Sequence, residues 1–422
     1  MSAETSPAYL PRIADGELAR RRRALGAVLV DGPKACGKTE TASQVAATIY
    51  RMDRDKVARA LVDNEPDALF SPPAPILFDE WQETPEIWNI IRHKVDERRT
   101  KGEFLLTGSS TPALTVRRHS GAGRMGTVRM RPMSLFESRH SSGEVSLAEL
   151  FQGERQTARD GVLGFSEVLE RIVIGGWPDL IDVGEADARD WLDGYVDNAV
   201  EVDVQRLGAR RDPVRIRRLL ESLARGTGQA VKSSRLQADV GGDGGPVAGA
   251  TLNNYLDALT RLMLIEDSPA WRPHLRSRTP LRTSPVRYFV DPSLAMSALK
   301  AGSADLLADP EVLGFQFEAL VMRDLRIYAQ PLRATVSSWR DSSGHEVDAI
   351  VSVRDNLWGA VEVKVSPSAV DSAADSLLRF VKKVDPDRHG QPAFLAVIVS
   401  HGRYAYLRRD GVHVIPIGCL GP

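Results

Sequence analysis

Apolar positions along the chain follow three rhythms. The first is the short solid run: "AVLV" (27–30), "ILF" (76–78) and "FLL" (104–106). Each is too short for a helix and reads as a buried strand. Between them lie helix-length segments, "KTETASQVAATIY" after the first run and the charged "IWNIIRHKVDERRT" before the third. Strands alternating with helices predict a parallel sheet flanked by helices over 1–140. The second rhythm is helical, and it dominates 141–225 in "SEVLERIVIGG" and "RDWLDGYVDNAVEVDVQRL". Across 226–290 it joins other signals: a helix "VKSSRLQADVG", a Gly-rich gap "GDGGPVAGA", and a helix "TLNNYLDALTRLMLIED" with core leucines at 252, 256, 259 and 262. Strands around "WRP" and "VRYFVD" complete a winged-helix outline. The third rhythm is alternation, as at Val361, Val363 and Val365, within a final α/β segment over 291–422. There "EVLGFQFEALVMRDLRIYA" and "DSAADSLLRFVKKV" read as helices, and "HEVDAIVSV", "LWGAVEVKV" and "AFLAVIVS" as strands.

Composition changes this picture little. A chain of 422 residues suggests two or three domains. Fifty-five basic against 56 acidic residues leave a net charge of −1, which argues neither for nor against a polyanion partner. Basic runs at Arg20–Arg23, Arg117–His119 and Arg215–Arg218 read most simply as solvated faces. No apolar stretch approaches the ~18 residues of a membrane span. Cys36 and Cys419 are the only cysteines, so a disulfide framework is excluded and a reducing, cytoplasmic setting is expected.

Chemistry enters with "GPKACGKT". Glycine, four residues, glycine, lysine and threonine, set between a strand and a helix, turn backbone amides inward onto a phosphate chain at a helix N-terminus. Gly32, Pro33, Lys34, Ala35, Cys36, Gly37, Lys38, Thr39 and Glu40 form the expected cradle for ATP, with Lys38 on the terminal phosphates and Thr39 on Mg²⁺. Cys36 reads as a small residue filling a tight turn. "ILFDE" ends a strand in paired carboxylates: Asp79 suits Mg²⁺, and Glu80 suits a general base polarising water. After "FLLTGSS", Thr107 or Ser109 is placed to sense the terminal phosphate. Among Arg124, Arg129 and Arg131, the glycine-flanked Arg124 is the candidate arginine finger, in cis or from a neighbouring copy in a homo-oligomer.

"YLPR" (Tyr9–Arg12), the phosphate loop, "ILFDEWQ", "FLLTGSS", "AGR" and "RPMSLFE" occur in an order that resembles the AAA-like ATPases of bacteria and archaea related to STAND-type NTPases. "GGWPD", "YVDNAVEVDVQRL", "LNNYLDALTRLMLIED", "RYFVDPSLAM", "GFQFEALVMRDL", "GHEVDAIV" and "VEVKVS" extend the likeness over nearly the whole chain. The resemblance implies a P-loop ATPase domain, a helical and winged-helix middle, and a C-terminal domain resembling PD-(D/E)xK (restriction-endonuclease-like) nucleases.

In that last domain Glu362 and Lys364, two apart on a strand, point to one face. Asp348 on a neighbouring strand can join them, and Glu318 on the preceding helix can complete a metal shell for phosphodiester cleavage. An exposed strand face with a salt bridge is the competing account. In the winged-helix segment Lys232, Arg235, Asn253, Asn254 and Arg261 are candidate DNA contacts, with protein docking as the alternative. Three functions stay in view: a nucleotide-driven switch, an ATP-regulated nuclease, and a non-catalytic scaffold.

Overall fold

The computed structural model describes residues 9–109, 121–154, 156–158, 163–208, 211–271, 285–354 and 357–422. Arg117–His119 and most of "WRP" lie outside the described residues. The chain divides into two compact units, Met1–Met130 and Arg131–Pro422.

The first unit opens with α1 (Ile13–Ala24) and β1 (Ala27–Asp31), then α2 (Lys38–Ser43), β2 (Thr48–Arg51), α3 (Lys56–Asn64), β3 (Ile76–Asp79), α4 (Ile87–Arg98), β4 (Phe104–Gly108) and β5 (Met125–Arg129). All five strands run parallel in the order β2-β3-β4-β1-β5. Two strands exceed expectation. The segment predicted as one helix through Tyr50 stops at Ser43, and "TIYR" becomes an edge strand. β-Branched Thr48 and Ile49 favour extension, and Tyr50 stacks on Phe78 at 5.6 Å. On the other edge "MGTVR" pairs with β1. Phe70, Phe78, Trp81, Ile91, Phe104 and Leu106 fill the core on one face of the sheet.

The second unit begins with β6 (Val145–Ser146), α5 (Leu147–Leu150), α6 (Phe165–Ile174) and α7 (Glu185–Asn198). A π-turn (Ala199–Asp203) leads into α8 (Val204–Arg206). Next come α9 (Pro213–Arg225), α10 (Ser233–Gly241), α11 (Gly249–Arg261) and an antiparallel pair, β7 (Ile265–Ser268) with β8 (Val286–Phe289). Leu252, Leu259 and Leu262 are buried and Leu256 partly so, but the helix ends at Arg261 and "IEDS" is strand.

After α12 (Pro292–Leu299) and α13 (Ser303–Ala308), α14 (Pro310–Leu332) leads into β9 (Thr335–Arg340), β10 (Glu346–Ser352), β11 (Trp358–Lys364), α15 (Val370–Val381), α16 (Pro386–His389), β12 (Phe394–Val399), β13 (Tyr406–Leu407), β14 (Val412–Pro416) and β15 (Leu420–Gly421). β15 pairs with β6, and the other six form a mixed sheet in the order β13-β14-β12-β11-β10-β9. β9, β10 and β11 are antiparallel neighbours, whereas β11, β12 and β14 run parallel. The apolar face of α15, Ala373, Ala374, Leu377 and Phe380, closes the core over this sheet.

Four of the quoted motifs meet inside this unit at one arginine. Arg323 of "MRDL" is buried and donates to Asp291 of "VDPS" (2.8 Å) and to its neighbour Asp324 (2.8 Å). Asp324 accepts the Leu135 amide of "RPMSLFE" (3.0 Å), and Asp291 accepts the Gly176 amide of "GGWPD" (3.0 Å). A side chain at Gly176 would strike the Met133 carbonyl, at 2.0 Å from its Cβ. Burying two carboxylates and a guanidinium is tolerable because the cation is shared between the acids and each group is hydrogen-bonded. These motifs are tied to one another inside the unit.

Candidate functional site

Sheet register builds the first site. The strand ends lie within one residue of a common level: Arg51 opposite Asp79 and Asp79 opposite Thr107, then Asp31 opposite Gly108 and Arg129. β1 then passes into the loop Gly32–Gly37 and α2. Ala35 and Gly37 adopt positive φ (59° and 95°), which folds the loop back on itself. A Cβ on Gly32 would lie 2.5 Å from the Met130 carbonyl and 2.9 Å from Cys36 Sγ, so only glycine fits. Cys36 is buried against that glycine as packing. Pro33 is buried, whereas Lys34, Ala35 and Glu40 are exposed around the loop.

Lys38 is 5% exposed, and its ammonium donates to the Pro33 carbonyl (2.7 Å). An ammonium has three donors. Here one is used, on a neutral acceptor, and a buried cation in that condition calls for an anion. Beside it Thr39 Oγ1 donates to Asp79 Oδ1 (2.6 Å), and Thr107 Oγ1 donates to the same oxygen (2.5 Å). A hydroxyl and a carboxylate in contact next to an unneutralised ammonium suit a Mg²⁺–phosphate ligand.

Glu80 has positive φ (54°), an uncommon conformation for a residue with a side chain. Its carboxylate accepts from Ser109 Oγ (3.2 Å) and from Gln82 Nε2. Two neutral donors aim it without neutralising it. Gln82 was quoted within its motif but given no role, because local spacing does not disclose a side chain that turns back on its neighbour.

Arg124 disappoints the sequence reading. It precedes β5 at the opposite end of the sheet, where its carbonyl accepts the amides of Gly26 and Ala27 and its side chain pairs with Asp96. The length of β1, about 16 Å at the usual strand rise, separates it from the loop. Within one chain it does not reach the phosphate position. Arg129, five residues on, stands at the correct edge and pairs with Asp31 (2.8 Å). Arg131 belongs to the second unit and pairs there with Glu266 (3.0 Å).

Sequence reasoning also passed over the chemistry of "YLPR". Arg12 is buried, and its guanidinium donates to the Cys36 carbonyl (2.7 Å). Tyr9 bonds Asp15 (2.7 Å) and Thr41 (3.0 Å), and burial raises its phenol above the usual range. Both brace the loop from behind.

The acidic group of the second unit does assemble in part. The β10–β11 register puts Asp348 opposite Glu362. Lys364 lies between them, 2.7 Å from Glu362 and 3.5 Å from Asp348, and Asp348 also accepts the Val363 amide (2.7 Å). Ser376 on α15 donates to Glu362 (3.1 Å) and contacts His345 (2.9 Å). Burial, then the charge of Asp348, raises the Glu362 carboxyl to about 7. Burial disfavours the Lys364 cation, but Asp348 and Glu362 outweigh it and hold the ammonium above its usual range. Burial and Asp348 push Glu318 well up, and its carboxyl accepts from the Tyr288 phenol on β8.

The structure brings Asp348, Glu362 and Lys364 together, while Glu318, the fourth residue of the expected metal site, is bonded by Tyr288. Among the described residues no group of three His, Cys, Asp or Glu is arranged to hold a metal ion. The lysine occupies the space between two of the carboxylates, and the third is taken up by a tyrosine.

The candidate DNA contacts are largely engaged internally. Asn254 accepts from Arg211 (2.7 Å), Arg261 pairs with Asp257 (3.8 Å) and Arg235 with Asp239 (4.0 Å). Arg217 is held by Asp197 and Glu201. No helix among the described residues is long and apolar enough to cross a membrane.

Comparison with known proteins gives this geometry a class. Residues 25–138 match the family described as AAA domain; residues 166–305 and 313–420 match families described as Domain of unknown function (DUF8612 and DUF4143, respectively). The first segment is a parallel-sheet α/β domain of P-loop NTPase type, in line with its match to the AAA-domain model. Uncharacterized proteins of Mycobacterium bovis and Mycobacterium tuberculosis are each 28% identical over 387 residues, spanning 89% of this chain and 80% of the relative. Among solved structures, a Walker-type ATPase of Pyrococcus abyssi aligns at 13% identity and TM-score 0.43, covering 69% of this chain and 96% of that one. A RuvB variant of Thermotoga maritima aligns at 17% identity and TM-score 0.24, covering 61% and 87%.

Proposed function

We propose that the protein is an ATP-driven switch in which the loop at Lys38 binds the triphosphate and Glu80 drives its hydrolysis. The observation that carries this reading is the buried Lys38 ammonium, satisfied by one carbonyl, beside the Thr39–Asp79 hydrogen bond. Thr39 and Asp79 would hold Mg²⁺, which when bound neutralises charge on the phosphates. Lys38 directs its two open donors at the phosphate oxygens. Glu80, aimed by Ser109 and Gln82, takes the proton of the attacking water, and Thr107 keeps Asp79 in register. Arg129 is the cis cation at this edge, released from Asp31 as charge develops; Arg124 acts only if a second copy presents it.

For the remainder we propose a helical region (141–225), a winged-helix-like segment (226–290) and a nuclease-like C-terminal segment (291–422). Support comes from two helices, α10 and α11, followed by an antiparallel strand pair, and from a helix, three antiparallel strands, a helix and a parallel strand in succession. The relation to STAND-type ATPases belongs to the same proposal. The pairing of Lys364 with both Asp348 and Glu362 favours a C-terminal segment that keeps the fold without cleaving, so its output is binding rather than hydrolysis of a strand.

Calorimetry with Mg-ATP tests the first part: wild type and Glu80→Gln bind, Glu80→Gln does not turn over, and Lys38→Ala does neither. Tight ATP binding by Lys38→Ala would overturn it. Plasmid and single-stranded DNA incubated with Mg²⁺ or Mn²⁺ test the second. Cleavage that disappears in Asp348→Ala would make the protein an ATP-regulated nuclease instead.

A further inference from the structure

The contact between Arg12 and the phosphate loop is fastened at both ends. Arg12 stands at the N-cap of α1, where its amide donates to Asp15 Oδ2 (2.8 Å) and its carbonyl accepts the Asp15 amide (3.0 Å). The Tyr9 phenol donates to the other oxygen of Asp15 (2.7 Å) and meets Thr41 Oγ1 on α2 (3.0 Å). From this anchored position the guanidinium, on a residue 7% exposed, reaches the Cys36 carbonyl (2.7 Å). Thr39 and Thr41 are two apart on α2, about 200° around its axis, and so lie on opposed faces. Thr39 turns to Asp79 and Thr41 to Tyr9, which puts the Tyr9–Arg12 segment across α2 from Asp79.

The Cys36–Gly37 peptide is trans, so its carbonyl and its N–H point in opposite directions. Because Arg12 holds the carbonyl, the Gly37 N–H is turned away from Arg12. Among the described residues nothing accepts a hydrogen bond from that amide, and Gly37 is only partly buried. Local geometry alone does not fix this orientation. Gly37 has a φ of 95°, and glycine takes negative φ about as readily, so the peptide plane can turn over at little cost. Turned over, it would present an oxygen where it now presents a donor. A carbonyl oxygen repels a phosphate, whereas an amide binds one. The charge-assisted bond from the guanidinium decides between the two.

We infer that Arg12 is a positioning residue of the nucleotide site: by holding the Cys36 carbonyl it keeps the Gly37 amide aimed at the phosphate chain. The inference rests on the ATP reading of the loop and adds the group that orients one of its donors.

Cys36–Gly37 is the one Cys-Gly step in the sequence. Full-length protein labelled at the cysteine carbonyl carbon and the glycine nitrogen therefore gives a single carbonyl–amide correlation by NMR, which reports this peptide alone. In the parent, Mg-ATP should move the Gly37 amide proton downfield. Arg12→Ala should move the Cys36 carbonyl signal upfield before any ligand is added, and should weaken Mg-ATP binding in calorimetry by about 10–100-fold. Arg12→Lys keeps a cationic donor on a shorter stem and should fall between the two in both measurements. It also carries the test if Arg12→Ala does not fold. A change confined to the melting temperature, with signal and affinity as in the parent, would overturn the inference. So would weakened binding with an unmoved Cys36–Gly37 signal, since Arg12 would then support the fold and not this peptide. A parent that binds no Mg-ATP sinks the ATP reading and the inference with it. A parent that binds, beside an Arg12→Ala protein of equal affinity, sinks the inference alone.

Discussion

The phosphate loop and the acidic cluster each bring one lysine to the edge of a sheet, and they treat it in opposite ways. Lys38 is buried with one neutral acceptor, whereas Lys364 sits between Asp348 and Glu362 within salt-bridge distance of both. The first site is incomplete as it stands and is completed by an anion. In the second the lysine is already paired with two carboxylates, and a ligand must break those ion pairs before occupying the space. Strand register is the common device, since both sites arise where neighbouring strands place polar residues level with one another. Charge balance, rather than residue type, separates a site prepared for a ligand from one that satisfies itself.

The strongest way to break this contrast is Lys38→Ala. Loss of the loop's buried ammonium should weaken Mg-ATP binding by about a thousandfold, read by calorimetry, while the melting temperature holds. Glu80→Gln comes next: binding is kept and turnover falls by about 10²–10⁴-fold, read as phosphate release. Lys364→Ala should leave ATP binding unchanged but destabilise the protein by about 1–2 kcal/mol, since Asp348 and Glu362 then face each other unneutralised and partial solvent access tempers the cost. Denaturant melts of the two lysine variants would then differ in opposite senses from their ligand-binding results.

A smaller effect concerns pH. Burial raises Glu362 from near 4.5 to about 7, so between those values the native chain holds a proton that the unfolded chain has released. Its contribution is full below pH 4.5 and is lost as pH rises through 7. The melting temperature of wild type relative to Glu362→Gln should therefore fall between about pH 5 and pH 8. The smallest expected change is Arg124→Ala, within about twofold in the turnover of dilute protein, against about tenfold for Arg129→Ala. A large loss for Arg124→Ala that depends on protein concentration would identify a finger supplied by a second copy.

Much of the first site was legible because its parts are local. "GPKACGKT" lies between strand and helix, and its glycines stand where φ or crowding demands them. "ILFDE" ends a buried strand, so the level of Asp79 follows from strand length. The cis placement of Arg124 did not follow from its flanking glycines: strand register sends it to the far end of its own sheet and leaves Arg129 at the edge. β2, β5 and β9 were missed because mixed runs such as "TIYR", "MGTVR" and "TVSSWR" carry no clean period; each is an edge strand of its sheet and acquires its form from one neighbour.

Local spacing alone was enough to specify a phosphate-binding loop, its acidic partner strand and an α/β chain around them, because those features depend on residues a few positions apart and on burial periodicity. It did not reveal that Arg12 props the loop, that four distant motifs converge on Arg323, or that Lys364 pairs with both Asp348 and Glu362. Those outcomes depend on which side chains meet after distant segments have packed. Electrostatics acts on distance in space, so charge balance at each site was settled only once the sheets had formed.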